Sequence, residues 1–177
     1  MKKKLVLGAV LATVMATGTA FASPVHPDGL GIGILWGGNA GWGRNSSFNA
    51  GNVALSLKLP AVPVFWGINL GFGNHWFSIG VQGDVYILGS ELLPTLSWFL
   101  GLGGYVNFTT GTGNYNDWAH IGLGARLPIG LTWQPVSIFE LFLNLAPSLG
   151  IHIHTRGDGN VGLGGGIGGE LGLRVWL

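Results

Sequence analysis

Residues Val161–Leu177 read VGLGGGIGGELGLRVWL. The odd-numbered positions are apolar except for two glycines, whereas the even-numbered positions are glycine, charged residues or tryptophan. A period of two predicts an extended strand with two different faces. The stretch is longer than an ordinary soluble strand and suits a tilted strand that crosses a membrane and continues beyond it. One apolar face opposite a small or charged face is typical of a strand between lipid and a polar lumen.

The composition of the chain favours the same class of protein. Charged residues make up 8% and hydrophobic residues 47% of the sequence, whereas a soluble domain carries about 25% charged residues. Beyond the amino-terminal segment, no apolar run is long enough for a membrane helix. A closed β-barrel is then the main way to span a bilayer. The 177 residues give room for one domain.

The amino terminus has the pattern of a signal peptide, residues 1–22. It has a positive start at residues 2–4, an apolar region at 5–15 and an A-x-A cleavage site at Ala20-Phe21-Ala22. We expect an outer-membrane β-barrel over residues 23–177; the alternative is an uncleaved anchor. The chain has no cysteine, which excludes a lipoprotein and disulfides. Without the three signal lysines, five basic residues face seven acidic ones, a net charge of −2 that gives no indication of nucleic-acid binding.

Alternating segments continue along the whole mature chain and predict eight strands. They lie at about residues 29–36, 52–59, 64–73, 76–88, 95–108, 118–133, 138–153 and 161–177. The predicted fold class is all-β, an eight-stranded antiparallel up-and-down transmembrane β-barrel.

An even number of strands places both mature termini on one side of the membrane, which in outer-membrane barrels is the periplasm. The expected periplasmic turns are at 60–63, 89–94 and 134–137, and the expected extracellular loops are at 37–51, 109–117 and 154–160. The connection at 74–75 is an exception, because it is short yet extracellular. The expected location is therefore the cell outer membrane, with outer-membrane lipid and the barrel-assembly machinery as partners.

Residues 100–177 resemble a family of small spirochaetal outer-membrane β-barrels of unknown function. The matching stretches are Leu102-Gly103-Gly104-Tyr105, Gly124-Ala125-Arg126-Leu127-Pro128-Ile129-Gly130-Leu131, Phe139-Glu140-Leu141-Phe142-Leu143 and Ala146-Pro147-Ser148-Leu149. More loosely, the mature chain is similar to the class of the OmpA transmembrane domain, OmpX and OmpW. The resemblance implies a fold and a location, but no chemistry and no cofactor.

Several charged and amide side chains are predicted to meet inside the barrel. If Ile153 opposes Val161, Glu140 lies opposite Arg174 and Asn144 lies opposite Glu170. The preceding turn places Arg126 opposite or next to Asn144. Buried charges must be paired or wet, so we expect one lumen network made of Arg126, Glu140, Asn144, Glu170 and Arg174. A structural plug that fixes the register is the first interpretation, and a gate or ion path is the second.

The outer half of the predicted lumen is rich in glycine. An eight-stranded barrel is normally filled by its own side chains, so glycines there predict a cavity that is open to the outside. The network would form its floor. The expected rim consists of Tyr105, Asn107, His120 and His152. The alternatives are a loop that folds inward, or glycines that serve only strand bending and closure.

Three sequence patterns are candidates for a chemical site. Gly164, Gly166 and Gly169 fit G-x-G-x-x-G, but they lie within a strand rather than before a helix, which excludes a nucleotide site. The histidines at 120, 152 and 154 could approach a metal, but a His-only cluster needs further ligands, so no metal site is predicted and the histidines are read as polar supports. No Ser–His–carboxylate arrangement supports an enzyme.

The tripeptide Arg156-Gly157-Asp158 lies in an expected surface loop. It is a candidate adhesion loop, although a charged turn is the ordinary interpretation. The sequence as a whole predicts a non-enzymatic barrel with a structural or surface-interaction role and an ion-paired lumen, without a cofactor. The alternative is OmpW-like binding or passage of a small hydrophobic ligand, and the lesser alternative is an adhesin for a host surface protein.

Overall fold

The computed structural model describes residues 26–43, 48–73, 75–112, 117–155 and 161–177. These residues form nine strands: β1 (Gly31–Gly43), β2 (Phe48–Lys58), β3 (Val64–Gly73), β4 (Trp76–Leu93), β5 (Leu96–Thr112), β6 (Asp117–Arg126), β7 (Ile129–Val136), β8 (Phe139–His154) and β9 (Val161–Trp176). The expected signal peptide, residues 1–22, lies outside the described residues. In the described ranges, no helix is long and apolar enough to cross a membrane.

The strands form one antiparallel up-and-down sheet that closes into a ring. Strands that follow one another in the chain pair with each other, except for β6 and β7, and β1 also pairs with β9. The β4–β5 pairing completes the circle. The all-β class and the up-and-down order predicted from the alternating pattern are confirmed, and so are the bounds of β3.

The ring has nine strands where the sequence predicts eight, because the expected strand 118–133 is divided. Both β6 and β7 pair with β5 on one side and with β8 on the other. The register with β5 is the same before and after the break, since Gly103 pairs with Arg126 and Leu100 with Ile129. Pro128 lies in the break, where it has no N–H to donate to the ladder. The two strands therefore occupy one position of an eight-position ring.

One end of the ring carries the short connections and is called the turn end. They lie at residues 59–63, 94–95 and 137–138. The predicted turn at 89–94 begins too early, because the β4–β5 ladder continues to the pair Leu93–Leu96. The predicted turn at 134–137 also begins too early, because β7 continues to Val136. In both places the ladder contains register shifts, which let polar, loop-like sequence stay paired. The opposite end, called the loop end, is reached by strands longer than predicted.

Side chains alternate between the two faces of the ring except at the register shifts, where the neighbours Ile87 and Leu88 are both exposed. On β8, Leu143 and Leu145 are more than half exposed on the outside, whereas Asn144 and Ala146 are buried inside. The β8–β9 register predicted from the pairing of Ile153 with Val161 is confirmed. The buried interior contains an aromatic cluster of Phe65, Tyr86, Phe99 and Trp176. The charged residues described below are packed next to it.

Candidate functional site

Arg126 on β6 holds two carboxylates from other parts of the ring. Its Nη1 and Nη2 donate to the two carboxylate oxygens of Glu170 at 2.8 and 2.9 Å, and its Nε lies 3.2 Å from Oδ1 of Asp84. The amide of Gln82 accepts from Arg126 Nη1 at 2.5 Å and donates to Glu170 at 2.9 Å. Asn144 donates to Glu170 at 3.0 Å. These five residues are called the central cluster.

The central cluster connects four strands, β4, β6, β8 and β9, through the interior. The double hydrogen bond between Arg126 and Glu170 is the strong, geometrically specific form of an ion pair. Each of the buried carboxylates would be costly without the guanidinium. The cluster therefore favours one arrangement of strands across the ring, in addition to the register that neighbouring strands share.

A second group of polar side chains surrounds Glu140, nearer the turn end. The Glu140 carboxylate is fully buried and accepts from Arg174 Nη1, Trp176 Nε1 and Thr132 Oγ1, each at 2.8 Å. Arg174 and Trp176 donate to Oε2 and Thr132 donates to Oε1, and the imidazole Nε2 of His26 also lies 2.9 Å from Oε1. We call His26, Thr132, Glu140, Arg174 and Trp176 the turn-end cluster. Every strong acceptor position of Glu140 is thus used within the protein.

Aromatic rings enclose the turn-end cluster. The guanidinium of Arg174 lies over Phe65 at 4.8 Å and over Phe142 at 4.6 Å, favourable cation–π geometry. The His26 ring contacts Phe65 and Tyr86 at centroid distances of 4.9 and 5.1 Å. His26 precedes β1, so the segment before the first strand enters the turn end of the ring and fills it.

The single lumen network predicted from the sequence is wrong in its extent. Glu140 and Arg174 belong to the turn-end cluster, whereas Arg126, Asn144 and Glu170 belong to the central cluster. Arg126 pairs with Ser148 and not with Asn144, because the β7–β8 turn lies at residues 137–138, later than predicted. Arg126 and Asn144 meet nonetheless, since both contact Glu170.

The two clusters also contain residues that the sequence did not assign to a site. The alternating pattern places Gln82, Asp84 and Thr132 on the inward face of their strands, and this is all that the sequence indicates about them. Their partners are 8 to 88 residues away in sequence, and in most cases on strands that are not neighbours. His26 carried no signal, since it lies before the first alternating segment.

A cavity of about 170 Å³ lies on the loop-end side of the central cluster. Gln82, Arg126 and Glu170 form part of its lining, which makes the central cluster its floor. The polar wall consists of Asn39, Asn52, Asn69, Tyr105, Asn107, Ser148 and His152. The rest is mainly glycine and small apolar residues, so the lining is rich in amides.

Several inward glycines are covered by a side chain of a neighbouring strand rather than facing open space. A Cβ at Gly80 would overlap Oδ1 of Asn69, and a Cβ at Gly122 would overlap Oδ1 of Asn107. A Cβ at Gly124 would overlap the carbonyl oxygen of Leu149 on β8 first, and the Tyr105 hydroxyl would be 2.8 Å away. The prediction that inward glycine leaves the outer half unfilled is therefore only partly right. At Gly168 a Cβ would fit without overlap, in ordinary contact with the carbonyl oxygens of Ala146 and Gly38 at 3.7 and 3.8 Å.

The three predicted histidines lie together near the loop end. His120 Nε2 is 3.1 Å from His152 Nδ1, and the His120 ring stacks on His154 with centroids 4.4 Å apart. Stacked rings do not direct their nitrogens to one point, and no group of three metal-binding side chains occurs among the described residues. Of the predicted rim, Tyr105, Asn107 and His152 line the cavity. His120 is not part of the cavity lining, but it contacts His152 through the two ring nitrogens.

The candidate adhesion loop, Arg156-Gly157-Asp158, lies outside the described residues. The structure places its two flanking strands, β8 and β9, as neighbours that pair up to Ile153 and Val161.

Comparison with known proteins identifies a family but no function. A family model described as a protein of unknown function, DUF3996, matches residues 48–173. This range contains β2 to β8 and most of β9. No curated protein and no solved structure matches the chain. Because the matched range is more than half of the sequence, the chain belongs to the DUF3996 family of proteins of unknown function.

Proposed function

We propose that this protein is an outer-membrane β-barrel with a structural or surface-interaction role, closed to ion flux by its two interior clusters. The observation that carries the proposal is the inverted distribution of side chains. Large apolar residues cover the outside of a closed sheet, whereas Glu140, Arg174 and Arg126 are buried inside. A soluble protein would bury the first set and expose the second.

The outer surface has the character that a lipid environment requires. Ile34, Leu145 and Leu163 are each more than half exposed, and such residues occur on every side of the ring. Exposed apolar surface of this extent exceeds what soluble monomers carry. A closed sheet also satisfies its backbone hydrogen bonds without water. Outer-membrane lipid is thus the surrounding medium in this proposal.

The termini support one orientation in that membrane. Leu30 and Leu177 exchange backbone hydrogen bonds at the turn end, so the start and the end of the ring lie side by side. In outer-membrane barrels the termini and short turns are periplasmic and the longer loops are extracellular. Delivery through a signal peptide at residues 1–22 and insertion by the barrel-assembly machinery complete this proposal. The similarity to small spirochaetal barrels and to the OmpA, OmpX and OmpW class favours the same location.

Closure of the lumen favours a structural role over transport. The aromatic rings around His26 fill the turn end, and the central cluster blocks the interior above it. An OmpW-like passage of a small hydrophobic solute would have to cross two layers of buried charge. The adhesin alternative depends on Arg156-Gly157-Asp158 and has no support from the described residues.

Solute flux through liposomes that contain the refolded protein tests this proposal. We expect no ion flux with the intact protein or with Arg126→Ala alone, since the turn-end cluster remains. The double variant Arg126→Ala/Arg174→Ala should leak, because it removes one partner of the ion pair in each cluster. Leu145→Ala is the matched control, since its side chain is on the outer face of β8. Each variant is first checked for folding by its mobility shift on heating.

Ion flux through the intact protein at the level of the double variant Arg126→Ala/Arg174→Ala would contradict closure. In that case the clusters would line a path, and transport would become the better account of the function.

A further inference from the structure

The β4–β5 hairpin leaves one edge of β4 unpaired at the turn end. The β3–β4 ladder stops at the pair Val64–Val85, whereas β4 continues to Leu93 in its pairing with β5. Pro63 directly precedes β3 and has no N–H with which to extend that ladder. In the described ranges, no strand therefore lies beside residues 86–93 on the side away from β5.

The hydrogen bonds of β5 indicate which backbone groups of β4 are free. Gly101 N on β5 donates to Pro128 O, away from β4. Alternate residues of an antiparallel strand bond to opposite neighbours, so the residues two and four places before Gly101 also bond away from β4. Gly89 and Glu91 pair with those two residues. The N–H and C=O groups of Gly89 and Glu91 therefore point to the unpaired edge, where an extended segment could bond to all four.

The side chains along this edge are accessible to a partner. Leu88 and Leu92 are each 53% exposed, and Ser90 and Glu91 are exposed as well. No ion pair among the described residues involves the Glu91 carboxylate. Free backbone groups and a carboxylate are costly in hydrocarbon. The edge therefore belongs in water, beyond the lipid that surrounds the ring in the proposed function.

Two occupants that this chain itself could supply are disfavoured. With the signal peptide removed, only residues 23–25 precede His26, whose side chain is buried inside the ring, and three residues cannot cover residues 86–93. A second copy would pair about a two-fold axis that is either normal to the sheet or parallel to the tilted strand. Neither axis is parallel to the ring axis, so two copies could not both be inserted in one membrane in the same orientation.

The side chains beside the free groups indicate the chemistry of a partner. Glu91 lies on the inward face of β4 and lines a depression at the turn end, whereas Leu88 lies on the outward face. A residue opposite Glu91 on an added strand would share its face and lie within contact distance, where a basic group would meet the carboxylate. We propose that the free edge of β4 binds an extended segment of another protein by strand addition, with a basic residue opposite Glu91 and apolar residues beside Leu88 and Leu92.

This inference goes beyond the proposed function, and only the compartment of the partner rests on it. Binding is measured on the purified protein in detergent micelles, by NMR of the Gly89 and Glu91 amides. The probe is the synthetic peptide TVKVTV, whose lysine can lie opposite Glu91 while its valines lie on the other face. We expect saturable shifts of both amides, and slower exchange of their protons with solvent.

The charge requirement is tested with the peptide TVEVTV, which places a carboxylate opposite Glu91. It should bind about fivefold more weakly than TVKVTV, because like charges directly opposite each other destabilise a strand pair. Glu91→Lys should reverse the preference of the protein between the two peptides. An unchanged preference in this variant would contradict the assigned position of the basic residue.

Two variants of Gly89 test whether the backbone edge itself binds the peptide. Gly89→Pro removes the N–H that points to the partner and leaves the β4–β5 ladder its hydrogen bonds, so it should abolish binding of TVKVTV. Gly89→Ala is the matched control, because it keeps the N–H, and it should bind TVKVTV like the parent protein. Folding of both variants is checked by the mobility shift on heating.

The absence of a saturable response to TVKVTV in a folded sample would overturn the proposal, and so would equal binding by Gly89→Pro and Gly89→Ala. Slow exchange of the Gly89 and Glu91 amides before peptide is added would also overturn it, since the edge would then be covered by this chain or by a second copy. None of these results bears on ion flux, so failure of the docking edge and failure of the closed-barrel proposal can be distinguished.

Discussion

At the scale of the residue, the buried pair of Glu140 and Arg174 should matter most for the stability of the protein. The two residues pair across β8 and β9 and share a hydrogen bond of 2.8 Å in a site with no exposure to solvent. Removing one partner of a buried pair leaves an uncompensated charge, which costs more than the pair itself contributes. The pair should therefore behave as a unit.

We predict that the losses of unfolding free energy caused by the two single substitutions add up to more than the loss caused by the double substitution. Arg174→Met and Glu140→Met should each lower the free energy of unfolding by about 3–5 kcal/mol, and the double variant by clearly less than their sum. Urea unfolding in detergent measures all three. Strict additivity would show that the two side chains do not depend on each other.

Glycines matter at this scale where backbones approach closely. A Cβ at Gly33 on β1 would overlap the backbone carbonyl oxygen of Leu173 on β9, which cannot move without breaking the ladder. Gly33→Ala should therefore destabilise the protein by about 1–3 kcal/mol. Gly169→Ala on the same strand pair is the control and should be almost neutral, since its Cβ would meet only Leu145 Cδ2 at 3.7 Å. Equal unfolding free energies for the two variants would refute this explanation.

At the scale of the element, the break between β6 and β7 is a missing hydrogen bond rather than a bend in the sheet. Gly101 N donates to Pro128 O at 2.7 Å, but proline cannot return a bond to the Gly101 carbonyl. The register on both sides of Pro128 is unchanged. The sequence pattern thus predicts the position in the ring correctly and misses only the interruption.

Pro128→Ala is predicted to restore a continuous strand. The new amide should donate to Gly101 and exchange with solvent as slowly as the amides of neighbouring strand residues. Hydrogen exchange followed by NMR measures this directly, with Leu127, which donates to Pro147 at 2.9 Å, as the internal reference. Rapid exchange at residue 128 would mean that the local backbone, rather than the missing N–H, causes the break.

Much of the fold could be predicted from the sequence because a period of two fixes the face of every residue. The pairing of Glu140 with Arg174 and of Asn144 with Glu170 followed from one correct turn. Contacts across the interior could not be predicted in this way. The approach of Asp84 to Arg126 depends on the stagger and tilt of the closed ring, which local alternation does not specify. The strand ends were also missed, since paired Gly and Asn stretches resemble loops.

At the scale of the whole molecule, the interior of the ring is divided into three layers that follow one another from the turn end to the loop end. The turn end is filled by aromatic rings and the turn-end cluster, the middle by the central cluster, and the loop end by the amide-lined cavity. His26 joins the first layer although it precedes the first strand. In the described part of the chain, this arrangement favours a closed wall with a polar cavity on the loop-end side and a polar depression at the turn end, beside His26, Glu91 and Gln134.

We propose that the outward face of the ring lies in lipid. Contact between outward side chains and lipid can be measured directly. The chain has no cysteine, so single cysteines can be placed on β8 at Leu143, Leu145 and Leu149, which face outward, and at Ala146, which faces inward. Each is labelled with a small fluorophore and reconstituted into vesicles that contain brominated lipid. We predict strong quenching at the three outward positions and little at position 146. Quenching of the outward labels by aqueous iodide, without quenching by brominated lipid, would contradict the account.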